Sequence, residues 1–364
     1  MPVNTHNFIT VTVNLDSPAA QQAGFNVLYI VPLAANSLNS AAYVAYTSYS
    51  DAVADNTAGY ISATTLQALS DVFSQANVPA TIYVASVDLV GGDAYTDTVT
   101  AMLAEGDLSF YAICVQDRTD AVITAVSAQV EALSVQKLFV CQSDDADWKT
   151  SGLPSGLTAL DGRERTAVVY QSTDGEHNDL VYAADRLSFS PDDASVPWNG
   201  NHLKEVAANS TISSTEAAFL VANNANYGAR VTSVSTFVMY PGYNQNGRQI
   251  AELVSADWFA IRLKERLDAR FTERATRGQK WPVNATGVAL VEAEMRALYA
   301  QGVQAGHFEA DQFSFTSPTI NADGTISAAD ITAQRIRATA NIQLTTGALL
   351  IVNTGNLSRT AVNA

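Results

Sequence analysis

Apolar runs alternate with helical periodicities from residue 25 onward. The run "FNVLYIVPL" (25–33) predicts a buried strand, and "SATTLQALSDVFSQANVP" (62–79) has an apolar helical face that ends before Asn77 and Pro79. Further strands are predicted in 80–87, 108–116, 135–143 and 165–172, with helices predicted in 95–106 and 118–134. Apolar strands separated by helices of this length predict an α/β fold with a largely parallel sheet covered by helices on both faces.

The pattern changes after about residue 205. Helices are predicted in 214–231, 255–278 and 284–303, a strand followed by turns in 235–250, and closing strands in 331–344 and 347–355. This order predicts an α+β C-terminal domain with extended terminal arms. We therefore expect four parts: an N-terminal strand arm and spacer at 1–20, an α/β domain at 21–205, an α+β domain at 206–345, and a C-terminal strand arm at 346–364.

The first apolar pattern, "NFITVTVNL" (7–15), has a period of two and predicts a strand. One side would carry Phe8, Thr10, Thr12 and Asn14, and the other side Ile9, Val11, Val13 and Leu15. No hairpin turn follows, because "DSPAAQQAG" (16–24) is a small, polar spacer. This strand therefore needs a partner that is not its neighbour in the chain.

Composition narrows the class of protein. The 364 residues are 47% hydrophobic and 15% charged, which indicates a globular chain, and the net charge of −16 argues against binding to nucleic acid. Cys114 and Cys141 lie in apolar runs, so we expect buried free thiols in a reducing compartment. The first residues lack the pattern of a signal peptide, and the apolar runs are too short for a membrane span.

The residue types that carry catalysis occur without the spacing that catalysis needs. The four histidines (His6, His177, His202 and His307) show no zinc-site spacing, and the chain contains no phosphate-binding loop and no G-x-S-x-G motif. We therefore expect no cofactor, no metal and no enzymatic activity. An α/β enzyme with an unrecognised site stays open as an alternative.

Two acidic clusters follow predicted strands, at the sheet edge where α/β enzymes place ligands. The first contains Asp144, Asp145 and Asp147, and the second contains Asp174, Glu176, His177 and Asp179. Both have two interpretations. They are metal or acid–base sites, or they are solvated loops and helix caps in which carboxylates accept backbone N–H bonds.

The long helix predicted at 255–278 carries a basic ridge. Arg262, Arg266, Arg270 and Arg274 recur every four residues, beside an apolar ridge of Phe259, Leu263, Leu267 and Phe271. Residues 256–280 contain seven bases and four acids, whereas the remainder contains 13 bases and 32 acids. Such a helix is a candidate docking surface for an acidic partner. The alternative is that the arginines are solvated or paired with Glu265, Asp268 and Glu273.

The order of segments resembles the sheath proteins of contractile phage tails, in the compact-subunit branch of that family. The resemblance is diffuse over 20–205 and sharper over 211–308, where we match "ADWFAIRLKERL", "WPVNATG" and "GVQAG". The Pro-rich surface motifs of longer sheath proteins are not seen in the sequence.

The resemblance implies a structural, non-catalytic function. Sheath subunits form hexameric rings that stack into a helical tube around an inner tail tube, and contraction drives the tube through the host envelope for genome delivery. It also implies that terminal arms add strands to sheets of neighbouring copies, which gives the strand at 7–15 a partner. The arm residues would be Phe8, Ile9, Val11, Val13 and Leu15, and at the other end Leu349, Leu350, Ile351 and Val352.

The resemblance also implies the binding partners and the localisation of the protein. The inner tube protein would be held by Arg262, Arg266, Arg270 and Arg274, and baseplate and tail terminator proteins would bind the ends of the sheath. The protein would be made in the cytoplasm of a host bacterium, would stay soluble until assembly, and would end in the contractile tail of the virion. The alternative structural function is another self-assembling component of a phage tail or injection device.

Overall fold

An eight-stranded, largely parallel sheet runs through the centre of the protein. The computed structural model describes residues 24–33, 37–105, 108–172, 175–204, 212–231 and 236–346. The strands are β1 (Asn26–Pro32), β2 (Tyr43–Tyr46), β3 (Ile82–Val87), β4 (Phe110–Val115), β5 (Leu138–Ser143), β6 (Thr166–Tyr170), β7 (Ala225–Val231) and β8 (Thr236–Tyr240). Their order is β2-β3-β1-β4-β5-β6-β7-β8, with antiparallel pairing only between β2 and β3 and between β7 and β8.

Helices cover both faces of the sheet, as the sequence predicts. Their bounds are α1 (Tyr49–Thr57), α2 (Ala63–Phe73), α3 (Tyr95–Ala104), α4 (Asp120–Glu131), α5 (Asn178–Leu187), α6 (Ser214–Ala222), α7 (Ile250–Thr276), α8 (Ala285–Ala305) and α9 (Ala328–Thr332). In β1, Val27 and Tyr29 pack into a core shared with α2, α5, α7 and α8, while Leu28 and Ile30 pack against α3 and α4. This alternation is the consequence of successive side chains pointing to opposite faces of a strand.

The sheet continues past the predicted domain boundary at residue 205. Strand β7 pairs in parallel with β6 through Val168 and Ala225, and β8 then pairs with β7. Helix α7 is tied to the same sheet, because Tyr111 of β4 donates to Asp257 Oδ2 at 2.7 Å and Arg165 forms an ion pair with the same carboxylate. The four-part division of the chain stays a prediction.

Helices α7 and α8 form a long hairpin, and specific residues determine where α8 begins and ends. Asn284 caps α8 by accepting from Gly287 N at 3.2 Å. Gly306 ends the helix in the left-handed conformation, with φ of 83°, which favours glycine. Gly302 lies against Phe308 and Trp258, and a Cβ at this position would overlap the Phe308 ring. The residues of "WPVNATG" and "GVQAG" are therefore explained by the start of α8, by its end and by its close packing on Phe308.

A second, two-stranded sheet follows the hairpin. Strands β9 (Phe308–Thr316) and β10 (Thr339–Leu344) pair antiparallel, with Ile342 opposite Phe313. The face with Phe313, Phe315 and Ile342 packs on the core of the helical hairpin, and the opposite face is polar. The C-terminal region thus contains helices and strands, which agrees with the predicted α+β character, and its strands form a small antiparallel sheet.

Two segments differ from the sequence prediction. The predicted helix at 214–231 ends at Ala222, and its second half is strand β7. The predicted strand at 331–344 is a strand only from Thr339, because α9 occupies its start and Arg335 and Arg337 fold onto the buried Asp330. These arginines lower the pKa of Asp330 to about 2. The elements β2, α1, α5 and β9 were not predicted.

Three further predictions concern the cysteines, membrane-spanning helices and the terminal arms. Cys114 and Cys141 are buried free thiols, and burial raises the pKa of both. Among the residues that the structure describes, no helix has the length and apolar character of a membrane span. The N-terminal arm residues (Phe8, Ile9, Val11, Val13 and Leu15) and the C-terminal arm residues (Leu349, Leu350, Ile351 and Val352) lie outside the described ranges.

Candidate interaction surfaces

The apolar ridge of α7 faces the core, and this orientation sets the position of the arginine ridge. Leu263 and Leu267 are buried, and Phe259 packs partly buried against the same core. Helix α8 packs alongside and buries Val288, Val291, Met295 and Leu298, which recur at helical spacing. The arginine ridge consequently runs along the side of the helical hairpin, where its members meet different partners.

Arg262 is enclosed by carboxylates. Its Nε and Nη2 donate to the two oxygens of Asp192 at 2.8 and 2.7 Å, and Nη1 donates to Glu265 at 2.9 Å. The Arg262 side chain is 8% exposed. Trp258 Nε1 also donates to Asp192, at 2.9 Å. Arg262 therefore fastens the loop that contains Asp192 to α7.

Arg266 and Arg270 bridge α7 to α8. Arg266 donates to Gln301 Oε1 at 2.5 Å, and Arg270 Nε donates to Glu294 at 2.7 Å. Arg270 also pairs with Glu273 at 3.0 Å. Its side chain is nevertheless 55% exposed, and these carboxylates raise its pKa. The predicted pairing with Glu265 and Glu273 is thus present, and it coexists with an exposed guanidinium at Arg270.

Arg274 differs from the other three. It donates to the backbone carbonyl of Lys280 at 3.0 Å, and its Nε has no hydrogen-bond partner in the described ranges. No carboxylate pairs with it among the residues that the structure describes. It lines a groove of about 230 Å³ at the end of the hairpin, together with Arg270, Glu273, Arg277, Gln279, Trp281, Leu290, Ala293 and Glu294. Three arginines and two glutamates make this groove, which we call the basic groove, locally cationic.

The β9–β10 sheet presents two open edges. Each strand pairs only with the other within the described part of the chain. Strand β10 has alternating exposed and half-buried residues, and Asn341 and Gln343 face solvent. An unpaired strand edge exposes backbone N–H and C=O groups that can pair with a further strand. Strand β10 ends at Leu344, five residues before the predicted arm residue Leu349.

The first acidic cluster forms a capped turn. Asp145 N donates to Ser143 Oγ at 3.3 Å, and Asp145 Oδ1 accepts from Asp147 N at 2.8 Å at the start of a short 3₁₀ helix (Ala146–Lys149). Asp144 is exposed. This geometry agrees with the interpretation as a helix cap.

The second acidic cluster is divided between two environments. Asp174 lies outside the described residues, and Arg118 donates to the backbone carbonyl of Glu176. His177 and Asp179 are both buried, the latter in the first turn of α5. Burial raises the pKa of Asp179 to about 6, against the opposing effect of the Arg118 charge. The Asp179 carboxylate accepts hydrogen bonds from backbone N–H groups at the start of α5, which agrees with the interpretation as a helix cap, and the residue is buried rather than solvated.

Neither acidic cluster brings metal ligands together in the described ranges. No group of three or more His, Cys, Asp or Glu side chains there is arranged to hold a metal ion. The Tyr29 hydroxyl lies 3.5 Å from His177 Nδ1, and Gln142 Oε1 accepts from Asn178 N at 2.9 Å. These contacts join the start of α5 to the middle of β1 and to the carboxyl end of β5, and sequence patterns gave no signal for them.

Comparison with solved structures identifies the fold. A chain of the anti-feeding prophage baseplate matches with a TM-score of 0.65 at 12% identity, covering 95% of this chain and 98% of that chain. The contracted helical sheath of the same particle matches with a TM-score of 0.65 at 14% identity, covering 98% and 99%. The contracted sheath complex of the extracellular contractile injection system PVC matches with a TM-score of 0.59 at 12% identity, covering 99% of both chains.

These matches confirm the predicted resemblance at the level of the fold. The chain has the fold of sheath proteins from contractile injection systems along nearly its whole length. No protein-family model matches the sequence. No curated protein matches it either.

Proposed function

We propose that this chain is the structural subunit of a contractile sheath, which polymerises as stacked hexameric rings around an inner tube and contracts to drive that tube through a host envelope. The observation that carries the proposal is the end-to-end likeness to a contracted sheath protein, which covers 98% of this chain and 99% of the other. A match of this extent leaves almost none of the chain for a separate enzymatic domain. The function is accordingly structural rather than catalytic.

The lattice is held together by strand addition between copies. The open edges of the β9–β10 sheet supply the receptor, since each strand has backbone groups without a partner strand in the described ranges. The donors are the predicted arms at 7–15 and 349–352 of neighbouring copies. Main-chain hydrogen bonds across such a joint persist while subunits rotate, so that the arms serve as hinges during contraction.

The inner tube is gripped through the exposed end of the arginine ridge. Arg270 and Arg274 line the basic groove and face a partner with acidic side chains. Arg262 and Arg266 support the same contact indirectly, because their partners fix α7 against the Asp192 loop and α8. Exposed ion pairs are each weak, about 0.2–1 kcal/mol, so the grip breaks ring by ring when contraction spreads.

The remaining partners follow from the ends of such a polymer. A baseplate protein would hold the first ring, and a terminator protein would hold the last ring. The assembled subunits would form part of the tail of a phage or injection device. Synthesis and assembly would take place in the cytoplasm of the host bacterium. For a phage, the outcome of contraction is delivery of the genome.

Electron microscopy of the protein expressed alone tests the proposal. We expect hollow tubes with a helical surface, because a metastable sheath subunit polymerises directly into the contracted lattice. The matched control lacks residues 1–18 and should remain folded, with a cooperative melt, but should form no tubes. A full chain that stays monodisperse at all concentrations, with and without polyethylene glycol, would overturn the proposal.

A further inference from the structure

A second groove, separate from α7, lies beside the junction of α6 and β7. It has a volume of about 320 Å³. The residues that line it include Gly152, Asp161, Asn223, Asn224 and Gln245. We call it the amide groove, because three carboxamide side chains meet there.

The donors of these carboxamides all point to backbone carbonyls. Asn223 Nδ2 lies 3.0, 3.1 and 2.9 Å from the carbonyl oxygens of Trp148, Thr150 and Gly152. Asn224 Nδ2 donates to the Gln245 carbonyl at 3.3 Å, and Gln245 Nε2 donates back to the Asn224 carbonyl at 3.1 Å. Because carbonyl oxygens can only accept, these contacts fix which end of each amide is nitrogen.

The acceptors of the same groups are left unused. Asn223 Oδ1, Asn224 Oδ1 and Gln245 Oε1 accept no hydrogen bond from the residues that the structure describes, and the Asp161 carboxylate has no ion-pair partner among them. Gln245 is 2% exposed, and its Oε1 is a buried acceptor to which none of the described residues donates. A buried acceptor without a donor is costly, and a ligand that brings N–H donors removes that cost.

We propose that the amide groove binds a guanidinium or primary ammonium group. Side chains that carry acceptor oxygens line it from three parts of the chain, and its one charged lining residue, Asp161, is an anion. A guanidinium offers five N–H donors in a plane and an ammonium offers three, so either can serve several of these oxygens at once. A Ca²⁺ ion takes about six to eight oxygen ligands, commonly from several carboxylates, and the lining of this groove contains one carboxylate.

Saturation-transfer NMR with methylguanidinium as the observed probe tests the proposal on the full chain. This method observes the small molecule, so it works for the subunit and for its polymers. We expect saturable transfer to the probe and none to tetramethylammonium, which has the same charge but no N–H donor. Asp161→Asn should weaken binding about threefold to fivefold, the range of an exposed ion pair. Asp161→Lys, which supplies a cation of its own, should abolish binding.

The matched control is Asp93→Asn, an exposed aspartate in the loop before α3 that should bind the probe like the wild type. Binding that is absent, or that survives Asp161→Lys, overturns the proposal. Displacement of the probe by equimolar CaCl₂ but not by ethylammonium also overturns it, since the groove would then be a metal site.

Two sources could supply the cation, and polymerisation separates them. If a lysine or arginine of a neighbouring copy occupies the groove, the probe should bind dissociated subunits and be excluded from polymers. If the ligand is a free amine, the probe should bind both equally. The measurement of probe binding does not depend on the sheath proposal, so the two proposals can fail separately.

Discussion

At the scale of single residues, identical side chains at regular spacing have different environments. The four-residue spacing from Arg262 to Arg274 predicted one ridge, and the ridge exists. Spacing could not predict that Asp192, seventy positions earlier in the chain, encloses Arg262. Nor could it predict that Arg274, at the end of the same ridge, has only a backbone carbonyl as its partner in the described ranges. Those differences depend on a loop brought in by the tertiary fold.

Replacement of Arg262 by glutamine should destabilise the folded subunit. The change leaves the largely buried Asp192 carboxylate without its bidentate partner, which costs about 2–4 kcal/mol. Urea denaturation of dissociated subunits measures the free energy of unfolding. The matched control is Arg277→Gln, whose pair with Glu273 is exposed and worth less than about 1 kcal/mol. Equal losses for the two variants would contradict the structural role of Arg262.

The buried Asp179 should make the stability of the subunit depend on pH. Its pKa in the folded chain is about 6, whereas an unfolded aspartate titrates near about 3.9. The folded state therefore binds the proton more tightly, and this contribution to stability is present below about pH 4 and lost as pH rises through 6. We expect Asp179→Asn to be more stable than wild type at pH 7.5, on the order of 2 kcal/mol, and similar at pH 4.

Urea midpoints between pH 4 and 7.5 provide the measurement for Asp179. Asp257 is also buried with a raised pKa and titrates in both proteins, so the difference between wild type and variant isolates Asp179. Asp93→Asn should keep the pH dependence of the wild type. If Asp179→Asn also keeps the pH dependence of the wild type, burial does not raise the pKa of Asp179 and the prediction is wrong.

At the scale of elements, the segment 214–231 shows where sequence periodicity stops being sufficient. The Ala-rich composition favours a helix, and α6 does form, with a capping box between Ser213 and Glu216. The helix ends because Asn223 is held by three carbonyls of another loop and Asn224 adopts a φ of 56°. Tertiary hydrogen bonds that no local pattern encodes therefore decide the boundary between α6 and β7.

Asn226 should be essential for the stability of β7. It is fully buried, donates to the carbonyls of Val168 and Tyr243 at 3.0 and 2.8 Å, and accepts from Gly242 N and Tyr243 N at 2.8 and 2.9 Å. Asn226→Ala leaves these groups unpaired, and we expect a loss of about 2–4 kcal/mol in the free energy of unfolding. Urea denaturation measures this loss. The control is Asn246→Ala, which removes only an exposed hydrogen bond to Glu164. A similarly small loss of stability for both variants would contradict the proposed importance of Asn226 for β7.

At the scale of the whole molecule, the alternation of apolar strands and helices predicted the parallel sheet and its two covered faces. Strands buried on both faces give apolar runs, and these runs are visible in the sequence. Helix α5 was missed although all ten of its residues are buried, because the polar residues among them interrupt the apolar pattern that a buried helix would show. Several polar groups of this helix are held by partners that lie far away in the sequence. Thus Asn178 N donates to Gln142, and the Tyr182 hydroxyl donates to the Trp198 carbonyl. The candidate interaction surfaces depend in the same way on such distant contacts.

The proposed grip on the inner tube can be tested at the one ridge arginine whose loss breaks no ion pair in the described part of the chain. Arg274→Glu reverses a charge that lines the basic groove, and it sacrifices only the bond to the Lys280 carbonyl. We therefore expect a folded subunit that polymerises alone but forms no extended sheath around tubes, because the acidic partner is repelled. Electron microscopy of assembled tails is the measurement. Arg296→Glu on α8, exposed and outside the groove, is the control for charge reversal. Normal extended tails from Arg274→Glu would remove the basic groove from the tube contact and leave its arginines with a structural function.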